Sequence, residues 1–395
     1  MDPIGRRKFI RNAGGGALPL LLSPAAFAFP GRSAWANGKE PIAINFVTDL
    51  PLRTPQEYLG DLQTALKNKG AGQDFYGAGG AVKALEEKFA ALSGKEKAIF
   101  LPTGTLANNL AVKLLSGAQS KIYVQETSHL YRDEADAAQT VHGKRLVPLA
   151  AGKAAFTLAE LESALAYHKS GEAFPTGTGA VSIETPVRRV DNYVYPMDEL
   201  QRITGYCRKA GIKTHLDGAR LHIASAWSGV PVQAYAALFD TVYFSLYKYL
   251  GSPGGAILCG SKALIDETAH WIKIMGGSIF QAWPYAAIAL DRIDRIDAMW
   301  QEAKAKGEDL FRRLEAAGLA EVKTFEQGSN VHQLHLKKKV DTGKLTAYLQ
   351  QEHNMMARTP GPQGFIRFFI NETLLWRRNE EIIKAFEKGM AVASA

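Results

Sequence analysis

Gly211-Ile-Lys-Thr-His-Leu-Asp-Gly-Ala-Arg220 sets a short apolar strand between a helix stop and an acidic residue. Upstream, Met197 to Ala210 has helical spacing with an acidic first turn, and Gly211 closes it. Downstream, Val242-Tyr-Phe-Ser245 is a second apolar strand. The alternation extends both ways. Ala98-Ile-Phe-Leu101, Ile122-Tyr-Val124, Leu146-Val-Pro-Leu149 and Ala180-Val-Ser-Ile183 come before it, and Ala256-Ile-Leu-Cys259 follows. Helical segments lie between, such as Ala81 to Leu92, with Val82, Leu85, Phe89 and Leu92 on one side. Such alternation predicts an α/β fold, a large mostly parallel sheet with helices on both faces. A long helical run is expected from Gln281 to Ala317, carrying Leu290, Ile293, Ile296 and Trp300. After Gly318 the pattern becomes strand, helix, strand, helix, a smaller C-terminal α+β domain. The expected division is an address segment at 1–36, an N-terminal arm at 37–77, a large domain at 78–300 and a small one at 301–395.

The 395 residues are 46% hydrophobic and 22% charged, enough for one large core or two unequal ones. Disordered, collagen-like and disulfide-stapled classes are excluded; only Cys207 and Cys259 could pair, and both sit in apolar patterns as buried thiols. The net charge of +8 is unevenly spread: residues 1–36 hold a net +4, and the remaining lysines are scattered among acids. A nucleic-acid footprint would be a clustered basic face, which is lacking. The N-terminal charge has another reading. Arg6-Arg7-Lys8-Phe9-Ile10 leads a weakly apolar stretch from Ala13 to Phe29, and Ala34-Trp35-Ala36 offers small-x-small to a signal peptidase. This resembles a twin-arginine export signal, implying a periplasmic protein exported folded. Gly14-Gly15-Gly16 and Pro19 argue against a spanning helix, so no stable membrane association is expected.

Ligands of such sheets bind at the carboxyl ends of the strands. There, Pro102-Thr-Gly-Thr-Leu-Ala-Asn108 opens a helix; Gly104 permits close approach, and free N–H groups face an anion. Thr-Gly-Thr by itself is equally a helix cap. Asp217 ends a strand, which alone reads as a cap or an ion pair. Lys248 sits among Leu246, Tyr247, Tyr249 and Leu250, where snorkelling is the bland alternative. One chemistry uses all three together. Pyridoxal phosphate needs a cradle for its phosphate, a carboxylate at its ring nitrogen, and an amine for its aldehyde.

With Asp74-Phe-Tyr-Gly77, Leu216-Asp-Gly-Ala-Arg220, Ser245 to Pro253, and Lys273-Ile-Met-Gly-Gly277 with Gln281-Ala282 added, the chain resembles the threonine aldolase / β-eliminating lyase family. The resemblance covers roughly residues 45–385 and implies a fold-type I pyridoxal phosphate enzyme, aspartate aminotransferase-like. It implies that Lys248 bonds the cofactor and Asp217 pairs with the ring nitrogen. Gly104 and Thr105 hold the phosphate, and His129, in Ser128-His-Leu-Tyr131, stacks on the ring. Arg220 and Arg367 meet the substrate carboxylate, Thr48 stands where serine is common, and Tyr76 reaches a neighbouring subunit's site. A homodimer or homotetramer is implied, and no metal.

The chain departs from the family at two places. Where Leu-Glu-Asn-Thr-His is common, it reads Ser182-Ile-Glu-Thr-Pro-Val-Arg188, without the histidine that touches a β-hydroxyl. After Gly276-Gly277 the usual arginine is missing, and Phe280 stands nearby. Arg188, Arg189, Tyr195 or His129 are the candidate substitutes, and Phe75, Tyr247, Tyr249 and Phe280 hint at a bulky β-substituent. The first reading is an aldolase that releases glycine and an aldehyde from a β-hydroxy-α-amino acid. The alternatives are a related lyase performing β-elimination, and a binding protein that kept the fold without turnover.

Overall fold

The structure, a computed structural model, describes residues 43–394 apart from residues 52 and 71. The address segment expected at 1–36 lies outside the described residues. Near the start, Ile44–Asn45 (β1) runs parallel to Met355–Met356 (β11). The central sheet is built from Lys97–Leu101 (β2), Lys121–Gln125 (β3), Arg145–Leu149 (β4), Thr178–Glu184 (β5), Lys213–Asp217 (β6), Thr241–Ser245 (β7) and Ala256–Gly260 (β8). Their order is β2-β8-β7-β6-β5-β3-β4. Only β8 runs against its neighbours; every other pairing is parallel. β3, β7 and β8 are buried at every position, as strands sandwiched between two helical layers must be.

The period of two along β7 decides what faces the site. Val242 and Phe244 point into the main core, while Tyr243 joins a second cluster with Ala107, Leu110 and Leu258 on the opposite face. That second face is covered by helix Gly104–Ser116, whose N-cap Thr103 accepts the Leu106 N–H at 3.2 Å. This helix begins where β2 ends, so its N-terminus opens on the edge where β5, β6 and β7 also end.

A smaller antiparallel sheet, ordered β12-β10-β9, joins Ala320–Thr324 (β9), Val331–Leu336 (β10) and Ile366–Phe369 (β12). Helices Thr342–His353 and Asn379–Ser394 accompany it. Phe46 stacks on Phe368 at 4.2 Å, and the Phe369 N–H donates to the Phe46 carbonyl at 3.1 Å, so the residues after β1 lie beside β12.

Three local expectations change. The run from Gln281 to Ala317 is two helices, Trp283–Ile293 and Ile296–Ala316; between them Asp294 turns outward to Lys69 at 2.8 Å and Lys88 at 2.5 Å. The domain boundary drawn at residue 300 therefore falls within a helix. The arm at 37–77 contains helix Pro55–Lys69, started by a capping box in which Thr54 and Glu57 satisfy each other's backbone N–H. Cys207 and Cys259 are buried and unpaired. Among the described residues, no helix is long and apolar enough to cross a membrane.

Candidate active site

Lys248 follows β7 by three residues and is buried, with its Nζ 5.1 Å from the Tyr247 ring centroid and 6.0 Å from that of Tyr243. Burial and the Arg220 cation lower its pKa to about 7, against the pull of Asp217, Asp49 and Glu184. An amine that loses its proton near neutrality is a nucleophile, so burial here produces reactivity.

Asp217 ends β6. Its Oδ1 accepts the Ala219 N–H at 3.1 Å, and its Oδ2 accepts from Asn108 Nδ2 at 2.8 Å. The same Nδ2 donates to Glu134 Oε1 at 2.8 Å. With both amide protons used, Asn108 Oδ1 accepts from His215 Nε2 at 3.0 Å, and His215 Nδ1 meets Thr241 Oγ1 at 2.8 Å. Burial lowers the His215 pKa to about 4, so this ring is neutral and carries its proton on Nε2.

His129 starts the short helix His129–Arg132, and its backbone N–H donates to Glu184 Oε2 at 2.6 Å. Its Nδ1 lies 2.8 Å from Glu134 Oε1. Burial opposes charge on the ring, but the Glu134 hydrogen bond and the carboxylates of Asp217 and Glu184 outweigh it, so its pKa is raised. Burial also raises Glu134; yet Asn108, Asn109 (2.6 Å) and His129 all direct donors at it, which favours the carboxylate and leaves the proton on Nδ1. His129, Glu134 and Asp217 bring three ligand-type atoms within 4.8 Å of one another, but Asn108 aims its donors at two of them, using lone pairs a metal would need.

The candidate phosphate cradle lies at the start of helix Gly104–Ser116. The N–H groups of Gly104 and Thr105 have no protein acceptor among the described residues. A Cβ at Gly104 would overlap the Tyr243 hydroxyl, so only glycine fits between helix and sheet. Ser245 Oγ, at the end of β7, is buried without a partner. An orphaned hydroxyl, free helix N–H groups, a low-pKa lysine and a strand-end aspartate together fit pyridoxal phosphate.

The expected substrate residues fall in a different pattern. Arg220 is buried with Nε on Asp49 Oδ2 at 2.5 Å, and Arg367 grips Asp191 with Nε (2.5 Å) and Nη2 (3.2 Å). Thr48 Oγ1 accepts from Asn45 at 2.6 Å and donates to the Leu50 carbonyl at 3.0 Å. Tyr76 is exposed, with its ring 5.4 Å from Phe280. Of the candidate substitutes for the missing histidine, Arg188 and Arg189 both hold Asp133, and the buried Tyr195 hydroxyl donates to the Phe156 carbonyl. Only His129 keeps a ring atom without a protein partner among the described residues. Sequence reasoning missed Glu134, Asn108, Glu184, Asp49 and Asp191.

Fold and site define a fold-type I pyridoxal phosphate enzyme. Residues 60–337 match the family model described as beta-eliminating lyase, and the chain belongs to that family. The low specificity L-threonine aldolase of Saccharomyces cerevisiae is 30% identical over 64% of this chain, a stretch that spans 65% of that protein, less than two thirds of its length. A structure from Listeria monocytogenes, provisionally described as an L-allo-threonine aldolase, is 25% identical, covers 88% of this chain and 96% of its own, and has a TM-score of 0.71. The Leishmania major threonine aldolase shares the fold at 20% identity, over 89% of this chain and 99% of its own, with a TM-score of 0.68.

Proposed function

We propose that this chain is a pyridoxal phosphate-dependent aldolase that splits the Cα–Cβ bond of a β-hydroxy-α-amino acid, releasing glycine and an aldehyde. The observation that carries the reading is the buried Lys248, whose pKa is lowered to about 7 beside Asp217. Lys248 would hold the cofactor by its aldehyde, Asp217 by its ring nitrogen, and Gly104 and Thr105 by its phosphate. Bound there, pyridoxal phosphate supplies an electrophilic carbon for the substrate amine and a ring that accepts the electron pair released at Cα.

The protein's own groups then divide the remaining work. Asn108 Nδ2 and the Ala219 N–H each donate to one carboxyl oxygen of Asp217 and fix its orientation at the end of β6. Glu134 accepts a hydrogen bond from the Nδ1–H of His129, so the lone pair of the neutral ring lies on Nε2, free to accept the β-hydroxyl proton of a substrate. This gives the site a proton acceptor although no histidine follows Glu184. Relatives named as threonine aldolases support the reaction class. The test is product analysis with threonine, allo-threonine and phenylserine. Glycine plus aldehyde, lost in Lys248→Ala, supports cleavage; ammonia plus a keto acid would mean β-elimination; no turnover of any substrate by a protein that binds the cofactor would mean a binding role.

We also propose that the protein is exported through the twin-arginine route and works as a homo-oligomer. The paired Arg6-Arg7 and Ala34-Trp35-Ala36 support export, and cell fractionation with an Arg6→Lys, Arg7→Lys variant tests it. The exposed cluster of Phe75, Tyr76 and Phe280 supports association, which light scattering tests.

A further inference from the structure

Of the four aromatic residues that hint at a bulky β-substituent, one stands beside the reacting amine. Tyr249 is buried behind it; its ring lies 5.6 Å from His222 and 5.7 Å from Trp300, and its hydroxyl accepts the His222 N–H at 3.4 Å. Phe75 and Phe280 pack edge to face at 5.7 Å in the exposed cluster with Tyr76. Tyr247 is the residue at the amine, with its ring centroid 5.1 Å from Lys248 Nζ.

Within the run from Leu246 to Leu250, Tyr247 alone faces out. Leu246, Lys248, Tyr249 and Leu250 are buried, whereas Tyr247 is 39% exposed. The Leu246 N–H donates to the Gly255 carbonyl, the Ser252 N–H to the Leu246 carbonyl and the Gly251 N–H to the Lys248 carbonyl, all at 3.1 Å. The backbone that carries Tyr247 is therefore pinned on both sides, just past the end of β7. Among the described residues its ring pairs with no other aromatic ring and its hydroxyl makes no hydrogen bond. The phenol is close enough to Arg220 and Tyr243 to act on their ionisation. The amine, the arginine after β6 and the tyrosine at the head of the phosphate cradle thus all lie around it.

We infer that the Tyr247 ring is the surface against which the substrate's β-substituent packs, and that it biases the enzyme toward aromatic β-hydroxy-α-amino acids. The inference rests on the aldolase reading and deepens it. The substrate nitrogen and Lys248 Nζ compete for the same cofactor carbon, so they occupy neighbouring positions. Cβ lies two bonds, about 2.5 Å, from that nitrogen. A ring whose centroid is 5.1 Å from Nζ is then within contact range of what Cβ carries. A phenyl group there meets the tyrosine ring at the spacing aromatic pairs adopt, whereas the methyl group of threonine has little surface to bury. The ring supplies the contact, and the hydroxyl is not required.

The test compares wild type, Tyr247→Phe and Tyr247→Ser as holoenzymes; the side chain is partly exposed, so neither change opens a cavity in the core. Glycine release gives kcat/KM for phenylserine and for threonine. Phenylalanine and alanine, which lack the β-hydroxyl, give the same contrast as dissociation constants read from the visible absorption. Tyr247→Ser is expected to lower both the phenylserine-to-threonine ratio and the phenylalanine-to-alanine affinity ratio by about threefold to tenfold, from the usual strength of an aromatic pair. Tyr247→Phe is expected to keep both near wild type. A wild-type ratio in Tyr247→Ser overturns the inference, even where activity falls equally on both substrates, as it would for a ring that only shields Lys248 from water. A fall in Tyr247→Phe as large as in Tyr247→Ser overturns it too. Wild-type holoenzyme that releases no glycine from either substrate overturns the aldolase reading instead, and the affinity ratio then decides the Tyr247 contact by itself.

Discussion

His129 and Glu134, five residues apart in sequence, meet with Nδ1 2.8 Å from Oε1. The carboxylate fixes which ring nitrogen carries the proton and raises the pKa of the ring, so Glu134→Gln should lower it. If His129 accepts the β-hydroxyl proton, the acid limb of the pH–rate profile moves to lower pH in Glu134→Gln. Glu134→Ala, which frees the ring to turn, should cost turnover by about tenfold to a hundredfold, as lost orientation of a proton-transfer group does. An unmoved limb in Glu134→Gln would remove His129 from the proton path.

Asp49 and Arg220 form a buried pair. Burial raises the Asp49 carboxyl, but the Arg220 charge and donors from Arg220, Asn330 and Asn192 win, so its pKa in the folded protein lies below 3.8. A depressed carboxyl contributes stability that is present above the unfolded value and lost as pH falls through the folded one. Its share is therefore fully present at neutral pH and disappears only below pH 3.8. Asp49→Ala, which strands the Arg220 charge, should cost about 3–5 kcal/mol, and Asp49→Leu with Arg220→Met should cost less. Urea titrations of the three proteins check the order.

Lys248 has a lowered pKa, to about 7, so cofactor uptake by the apoprotein should speed up as pH rises through about 7 and level off above it. Stopped-flow absorbance across pH 5–10 reads this. A rate still climbing toward the ordinary lysine range near pH 10.5 would mean the amine is not desolvated as described.

Gly104→Ala sets a methyl group against the Tyr243 hydroxyl at the head of the phosphate cradle. Displacing the helix start should weaken cofactor affinity about tenfold or more, by loss of aligned N–H donors, with a smaller effect on folding. Equilibrium dialysis against pyridoxal phosphate measures it; unchanged affinity would take Gly104 out of the cradle.

The sheet was legible because its strands are nearly continuous apolar runs between helix stops, and the candidate cofactor residues were legible because Gly104, Asp217 and Lys248 all stand at or just past strand ends. What stayed hidden has one physical cause: hydrogen bonds join residues far apart in sequence. Asn108 reaches Asp217 over 109 positions, Arg220 reaches Asp49 over 171, and Arg367 reaches Asp191 over 176. Nothing local to Arg220 or Arg367 says that an aspartate already occupies it. Helix Pro55–Lys69 is a different case, since Thr54-Pro-Gln-Glu57 is a capping-box signal that local reading could have used. At the break between the two helices Asp294 pairs with Lys69 and Lys88, which come from two earlier helices.

The most direct measurement reduces the protein with borohydride after incubation with pyridoxal phosphate and maps the modified peptide by mass spectrometry. The predicted result is a single reduced adduct on Lys248, accompanied by a visible absorption band that is lost in Lys248→Ala. An adduct on a different lysine, or a colourless protein with no adduct, would contradict the claim that this buried amine is the cofactor's anchor.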